Sequence, residues 1–266
     1  MTAWPYPLWI AHRGAGKLAP ENTLAAFRVG AGCGYRAFEC DAKLSADGVP
    51  FLLHDDTLQR TTPAQGKAGE HSWAVLSRLD AGAWHSRAFA GEPLPTLEAV
   101  ARFCLHNGFA LNIEIKPTPG QEAETGRVVA QEAERLWAGQ AGSGQAAPAG
   151  QAGPAGQAVP PLLSSFRPEA LQAAQQAAPR LPRALLLDSL WAGWFELAQS
   201  LACVAVVTHH RLMDAALIER LHGAGLRALV YTVNDTADAR RLIGLGIDGI
   251  ITDAVDHFAP AASTLG

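Results

Sequence analysis

The chain has 266 residues, 48% of them hydrophobic, and its 21 Lys and Arg against 25 Asp and Glu leave a formal charge of −4. That length suits one large domain, and α/β barrels reach it as a single unit. The slightly acidic balance, without any basic run, argues against a nucleic-acid binder, and no stretch of ~18 apolar residues is present to span a bilayer.

The N-terminus, MTAWPYPLWIAHRG, has neither a basic start nor a small-residue cleavage site, so no signal peptide is expected. Cys33, Cys40, Cys104 and Cys203 are scattered and form no Cys-x-x-Cys pair. Reduced core thiols and a cytoplasmic location are the expectation, rather than a zinc site or disulfide scaffold.

Leu8 to Ala11 reads as a short buried strand that ends in His12-Arg13-Gly14. After Pro20-Glu21-Asn22-Thr23, either Asn22 or Thr23 can cap a helix through Gly30. The next strand, Ala37 to Leu44, is the most informative stretch. Side chains alternate faces along a strand, so Glu39 and Asp41 share one face and Cys40 takes the other. Paired carboxylates repel unless something positive lies between them, and hard divalent cations take such oxygens. Charges alternating on a strand are more often a solvated face, yet the flanking residues here are apolar. Ser45-Ala46-Asp47-Gly48 is a tight turn. Val49 to Leu53 then returns as a second strand and carries His54 and Asp55 back towards the acids.

Residues 56 to 95 are polar and broken by Gly and Pro, the mark of a small insertion or a lid. Thr96 caps a helix from Leu97 that Asn107-Gly108 stops. In Ala110 to Pro117, Leu111, Ile113 and Ile115 share one face while Asn112, Glu114 and Lys116 share the other. Three polar groups on a strand with buried neighbours are costly without partners. A helix from Gln121 to Trp137 follows. Gly139 to Pro160 repeats a Gly-Gln-Ala/Pro-Ala theme and is expected to be a flexible loop.

Beyond it, strands at Pro161–Phe166, Arg183–Leu187, Cys203–Thr208, Arg227–Val233 and Gly249–Thr252 alternate with helices at Pro168–Ala177, Trp194–Leu201, Asp214–His222 and Thr236–Leu245. Parallel-type strands thus begin near residues 8, 37, 110, 161, 183, 203, 227 and 249. This is the α/β pattern of a (β/α)8 TIM barrel, one domain over 1–266 with a small insertion at 56–95 after the second strand. A doubly wound sheet is the alternative, but no Gly-rich phosphate fingerprint follows the first strand. Barrel sites lie at the C-terminal strand ends. There the polar residues fall: His12 and Arg13 after the first strand, Glu39 and Asp41 on the second, Glu114 and Lys116 on the third. Asn234 and Asp253 sit at the mouths of the seventh and eighth. His209 and His210 also end a strand but match no motif.

In order along the chain, His12-Arg13-Gly14, Pro20-Glu21-Asn22-Thr23, Glu39-x-Asp41, His54-Asp55, Asn112-x-Glu114-x-Lys116 and Tyr231-Thr232-Val233-Asn234 resemble the motif series of glycerophosphodiester phosphodiesterases. The resemblance implies a barrel with an insertion after the second strand's hairpin. It also implies hydrolysis of deacylated phospholipids to glycerol 3-phosphate and an alcohol. By the same resemblance Glu39, Asp41 and Glu114 match the ligands of one Mg²⁺ or Ca²⁺ ion, and His12 and His54 match a general acid/base pair. Arg13 and Lys116 match phosphate contacts, and Glu21 and Asn22 match a loop near the first histidine. Tyr231 stands where that family usually has Trp, an aromatic platform for the glycerol side, and Phe166 is a candidate for the pocket wall.

The chemistry of the residues agrees. A phosphodiester is an anion, so attack on it needs charge neutralised. Arg13 and Lys116 supply that, together with a Lewis-acidic ion held by three carboxylates. One imidazole can take the nucleophile's proton while the other protonates the leaving oxygen. The nucleophile is left open between water and a neighbouring substrate hydroxyl, and so is the share of each histidine. The expected partner is a small glycerophosphodiester. A barrel forming a cyclic phosphate, and an inactive barrel that only binds phosphorylated ligands, are the competing readings.

Overall fold

The structure is a computed structural model that describes residues 4–138, 158–258 and 260. The low-complexity stretch expected at 139–160 therefore lies outside the described residues except for its last three. The chain runs β1 (Trp9–Ala11), α1 (Leu24–Gly32), β2 (Ala37–Leu44), β3 (Pro50–Leu52), α2 (Trp73–Leu76), α3 (Leu97–Asn107), β4 (Ala110–Ile115) and α4 (Glu122–Ala138). It continues β5 (Leu162–Ser165), α5 (Pro168–Ala177), β6 (Arg183–Leu187), α6 (Trp194–Ser200), β7 (Ala205–His209), α7 (Ala215–Gly223), β8 (Arg227–Tyr231), α8 (Thr236–Gly244) and β9 (Gly249–Thr252).

Every strand except β3 joins its neighbours in parallel, and the β1–β2 pairing closes the sheet on itself. The result is the expected (β/α)8 barrel. Strand β3 pairs antiparallel with β2 outside the ring, with Ala42 opposite Leu52 and Leu44 opposite Pro50. Gly48 closes that hairpin with φ +77, a conformation that glycine adopts without a Cβ penalty.

The sequence builds these elements through alternation and capping. On β2, Phe38, Cys40 and Ala42 pack outward against the helices; on β4, Leu111, Ile113 and Ile115 do the same. The intervening residues point into the barrel. Its lower interior is apolar, with Ile10, Ala37, Ala110 and Leu162 among its members. Each large aliphatic side chain buried in these layers stabilises the fold by roughly 1.5–3 kcal/mol. Thr23, Thr96 and Asp214 cap α1, α3 and α7 by accepting from the backbone amides of Ala26, Ala99 and Leu217.

Element ends differ from the sequence reading by about two residues, where capping geometry rather than hydrophobic pattern decides. Helix α1 runs on to Gly32, for example, and β8 stops at Tyr231. Beyond that stop the Val233 amide still donates to Ile251 on β9.

Between β3 and α3 the chain makes a separate small layer. It holds α2, short 3-10 turns at Ala68–Glu70 and Arg87–Phe89, and an apolar cluster of Phe51, Leu53, Leu58, Ala68, Leu76, Ala81 and Leu94. Glu92 accepts from the Ala25 amide and His85 Nε2 lies 3.0 Å from the Lys17 carbonyl, so this layer is tied to the loop and helix after β1. Among the described residues no helix is long and apolar enough to cross a membrane.

Candidate active site

Glu39 and Asp41 on β2 and Glu114 on β4 point into the barrel, and Asp41 stands directly across from Glu114 in the strand register. Each offers a carboxylate oxygen, and these oxygens lie within 4.8 Å of one another. Asp41 is 1% exposed and Glu39 2%. Burial and the Asp41 charge push Glu39 up to about 8. The same two causes raise Glu114. Burial also opposes ionisation of Asp41, but the Arg13 guanidinium, Lys116 and His54 outweigh it and hold that carboxyl well below the usual range. Three buried carboxylates that share one point, two of them reluctant to ionise together, form a site to which a hard divalent cation is well suited.

The two histidines flank this cluster. His12 Nδ1 lies 2.6 Å from Asp253 Oδ1, and its Nε2 lies 3.8 Å from Glu39. A carboxylate only accepts, so Nδ1 carries the proton and Nε2 faces the cavity. Burial pulls the His12 pKa down, but the Asp253 hydrogen bond and the Glu39 charge outweigh it and leave it raised. His54 Nδ1 lies 2.7 Å from Asp55, and its Nε2 lies 2.9 Å from the Lys116 ammonium, a donor to the unprotonated ring nitrogen. Burial, with the nearby charges of Arg13 and Lys116, holds His54 below its ordinary value against the pull of Asp41. The two rings thus sit on opposite sides of the usual histidine value.

The cations come from neighbouring positions. Arg13 adopts φ +51, a left-handed conformation uncommon outside glycine. In it the backbone amide donates to Glu39, and Nε lies 3.2 Å from Asp41. Lys116 Nζ sits 2.9 Å from Glu114 and 3.7 Å from Asp41. Asn22, also left-handed at φ +59, clasps Asp41 from both ends: its amide donates to the carboxylate and its oxygen accepts from the Asp41 amide.

His12, Arg13, Glu39, His54, Glu114, Lys116, Phe166 and Tyr231 all line one cavity of about 340 Å³ in the barrel mouth. Asn112, Ser164, Leu186, Thr232 and Ile251 complete its floor and sides. Phe166 and Tyr231 meet edge to face at 5.6 Å, and Lys116 Nζ lies 5.8 Å from the Phe166 ring centre. A wider cavity of about 500 Å³ adjoins it, sharing Glu114, Lys116, Phe166 and Leu186 and adding Asp56, Arg167, Asp188 and Trp191.

Every residue singled out from the sequence as a ligand, acid/base group or substrate contact therefore reaches this mouth: Glu39, Asp41, Glu114, His12, His54, Arg13, Lys116, Phe166 and Tyr231. Asp41 is the one that does not line the cavity, since it lies beneath Arg13, Asn22 and Lys116. His209 and His210 stay outside it; His210 faces Asp238 on α8 at 3.5 Å. Sequence reading gave no role to several supports. Asp253 and Asp55 hold the histidines, and Asn234 in turn donates to Asp253. Arg60 bridges Asp55 and Glu21. Lys43, fully buried, donates to Asp56 and to the Lys116 carbonyl. The adjacency of His54 and Asp55, and the place of Asn234 and Asp253 at the ends of the last two strands, are the local signals; Arg60 and Lys43 have none.

Known proteins share this architecture. The sequence matches the profile of the Glycerophosphoryl diester phosphodiesterase family over residues 12–257. A glycerophosphodiester phosphodiesterase from Caldanaerobacter subterraneus is 30% identical over 252 residues, spanning 92% of this chain and 93% of that protein. Among solved structures, a phosphodiesterase from Oleispira antarctica in complex with the product sn-glycerol-3-phosphate superposes with a TM-score of 0.83 at 30% identity, covering 97% of this chain and 98% of that one. A glycerophosphodiester phosphodiesterase from Agrobacterium tumefaciens gives 0.75 at 29% identity, covering 95% and 99%.

Proposed function

The chain belongs to the glycerophosphoryl diester phosphodiesterase family, and from that premise we propose that it hydrolyses glycerophosphodiesters to glycerol 3-phosphate and an alcohol, as a metal-dependent step in glycerophospholipid breakdown. The observation that carries the reading is the convergence of an acidic triad, two carboxylate-held imidazoles and two cations on one cavity. Glu39, Asp41 and Glu114 would hold one Mg²⁺ or Ca²⁺ ion, which when bound supplies Lewis-acid polarisation of the phosphoryl group.

The chain's own residues do the rest. Arg13 and Lys116 offset the charge of the phosphodiester and fix its orientation. His12 and His54 approach the cavity through Nε2, one ring able to accept a proton from the attacking hydroxyl while the other donates to the departing oxygen. Asp253 and Asp55 hold the Nδ1 proton of each ring, which leaves Nε2 as the exchanging nitrogen, the one on His54 accepting from Lys116 until the substrate enters. Phe166 and Tyr231 form the aromatic wall against which the substrate lies. The four cysteines are unpaired, which suits the reducing cytoplasm.

Incubation with glycerophosphocholine, glycerophosphoethanolamine and glycerophosphoglycerol in Mg²⁺ or Ca²⁺ tests the reading. Glycerol 3-phosphate should be released from at least one of them, and His12→Ala should abolish its release. No product from any of the three, or undiminished turnover by His12→Ala, would overturn it.

A further inference from the structure

Along the inner face of β2, Glu39 and Asp41 are followed by Lys43. Asp41 stands level with Glu114, and the ladder runs on towards the mouth, with the Lys116 amide donating to the Ala42 carbonyl at 2.9 Å. The next inward pair is therefore Lys43 and Lys116, but their ammonium groups diverge. Lys116 Nζ turns to Glu114 and to His54 Nε2, each at 2.9 Å. Lys43 Nζ donates to Asp56 at 2.9 Å and to the Lys116 carbonyl at 3.1 Å, and Lys43 lines neither cavity.

Lys43 is fully buried, whereas Asp56 is 47% exposed. Lysine is almost never found so deep, and a buried ion pair adds little stability over apolar side chains of similar volume. What this pair supplies is geometry. Asp56 lies two residues beyond His54, and its carbonyl accepts from the Ala68 amide in the layer between β3 and α3. Lys43 thus grips the segment that carries His54 with one hydrogen bond and the backbone of Lys116 with another. The two segments leave separate strands, and their side chains meet at the 2.9 Å contact between Lys116 Nζ and His54 Nε2. A substrate phosphate that draws Lys116 away breaks that contact, and the Lys43 bridge then remains.

We propose that Lys43 is a positioning residue that keeps His54 and Lys116 in register while the substrate is bound, without touching it; the proposal rests on the phosphodiesterase reading above. The bridge acts on orientation rather than on charge in the pocket, because it ends on Asp56 and on a backbone carbonyl. Phosphate binding through Arg13 and Lys116 should therefore survive its loss, while the alignment of His54 with the reacting oxygen should not. Such an effect falls on kcat and leaves KM nearly unchanged.

The test is Lys43→Met, which keeps the length of the buried stem and removes its donor. On the glycerophosphodiester that the wild type turns over best, kcat should fall about 10- to 100-fold while KM stays within about threefold. The thermal midpoint should stay within a few degrees of the wild type's, since the released Asp56 carboxylate is half exposed to water. Asp56→Ala cuts the bridge from its outer end and keeps the test readable if Lys43→Met fails to fold. Its loss of kcat should be the same on every glycerophosphodiester turned over, as expected of a group that acts through His54 and Lys116 rather than on the alcohol. The double variant should lose no more than the worse single one, because both changes cut one bridge. Wild-type kcat in Lys43→Met, a loss that tracks unfolding or falls on KM alone, an Asp56→Ala loss that varies with the alcohol, or losses that multiply in the double variant would overturn the bridge and leave the functional reading standing. No turnover of any glycerophosphodiester by the wild type would sink both.

Discussion

His12 Nδ1 and Asp253 Oδ1 lie 2.6 Å apart although 241 residues separate them along the chain. Barrel closure between β1 and β9 makes the pair, and Gly16 makes room for it. A Cβ on Gly16 would come within 2.1 Å of the Asp253 carbonyl oxygen. Asp253→Asn should keep the shape but remove the charge and the tautomer preference, lowering kcat about 10²-fold, as expected when general acid–base help is impaired. The pH–rate profile adds a sign. With the proposed acid/base pair, turnover would require one ring protonated and one neutral, so the profile should be bell-shaped, with the acid limb set by His54 and the alkaline limb by His12. Asp253 raises the His12 pKa, so its loss should move the alkaline limb to lower pH. An unmoved alkaline limb in the variant would detach Asp253 from His12 function.

Arg60 ties the two halves of the site together from the layer between β3 and α3. Its guanidinium donates to Asp55 at 2.6 and 2.9 Å and to Glu21 at 2.7 Å through two nitrogens. Asp55 holds His54, and Glu21 accepts from Arg13. Paired forks of this kind fix geometry as well as charge. Arg60→Ala should lower kcat by about 10- to 100-fold through misplacement of His54 and Arg13. Because the side chain is 42% exposed, millimolar guanidinium added to the variant should restore part of the loss. Steady-state assays with and without guanidinium would show this, and a variant as active as the wild type would remove Arg60 from the site.

If the acidic triad holds an ion as proposed, Glu39 should govern its uptake. Its carboxyl, pushed up to about 8 by burial and by Asp41, is largely protonated at neutral pH, and a carboxylate ligand must be ionised. Affinity for Mg²⁺ or Ca²⁺ should therefore rise with pH up to about 8, with protons released on binding. Calorimetric titrations in buffers of differing ionisation enthalpy would count those protons. Affinity that does not change between pH 6 and 8 would contradict the assignment of Glu39 as a ligand.

Much of this site could be read from the chain because it depends on strand alternation. Glu39 and Asp41, and Glu114 with Lys116, fall on one face by their spacing alone, and the Asp47-Gly48 turn fixes where His54 returns. The supports were harder to see for a physical reason. Asp253 meets His12 only when the last strand docks beside the first. Arg60 sits in a polar, irregular stretch whose pattern carries no period, so nothing local marks it as structural. Asn112 stood out as a polar residue on a buried strand, but its lack of a partner, and that of Ser164, emerges only once both strands face the same cavity.

The most direct measurement is reconstitution of the metal-stripped protein, with glycerol 3-phosphate release from glycerophosphocholine followed as Mg²⁺ or Ca²⁺ is added. Turnover should be absent in EDTA and recover to saturation at one bound ion per chain, and Glu114→Gln, with one proposed ligand's charge gone, should lose at least about 10²-fold. Full activity of the stripped protein, or of Glu114→Gln, would contradict the metal assignment.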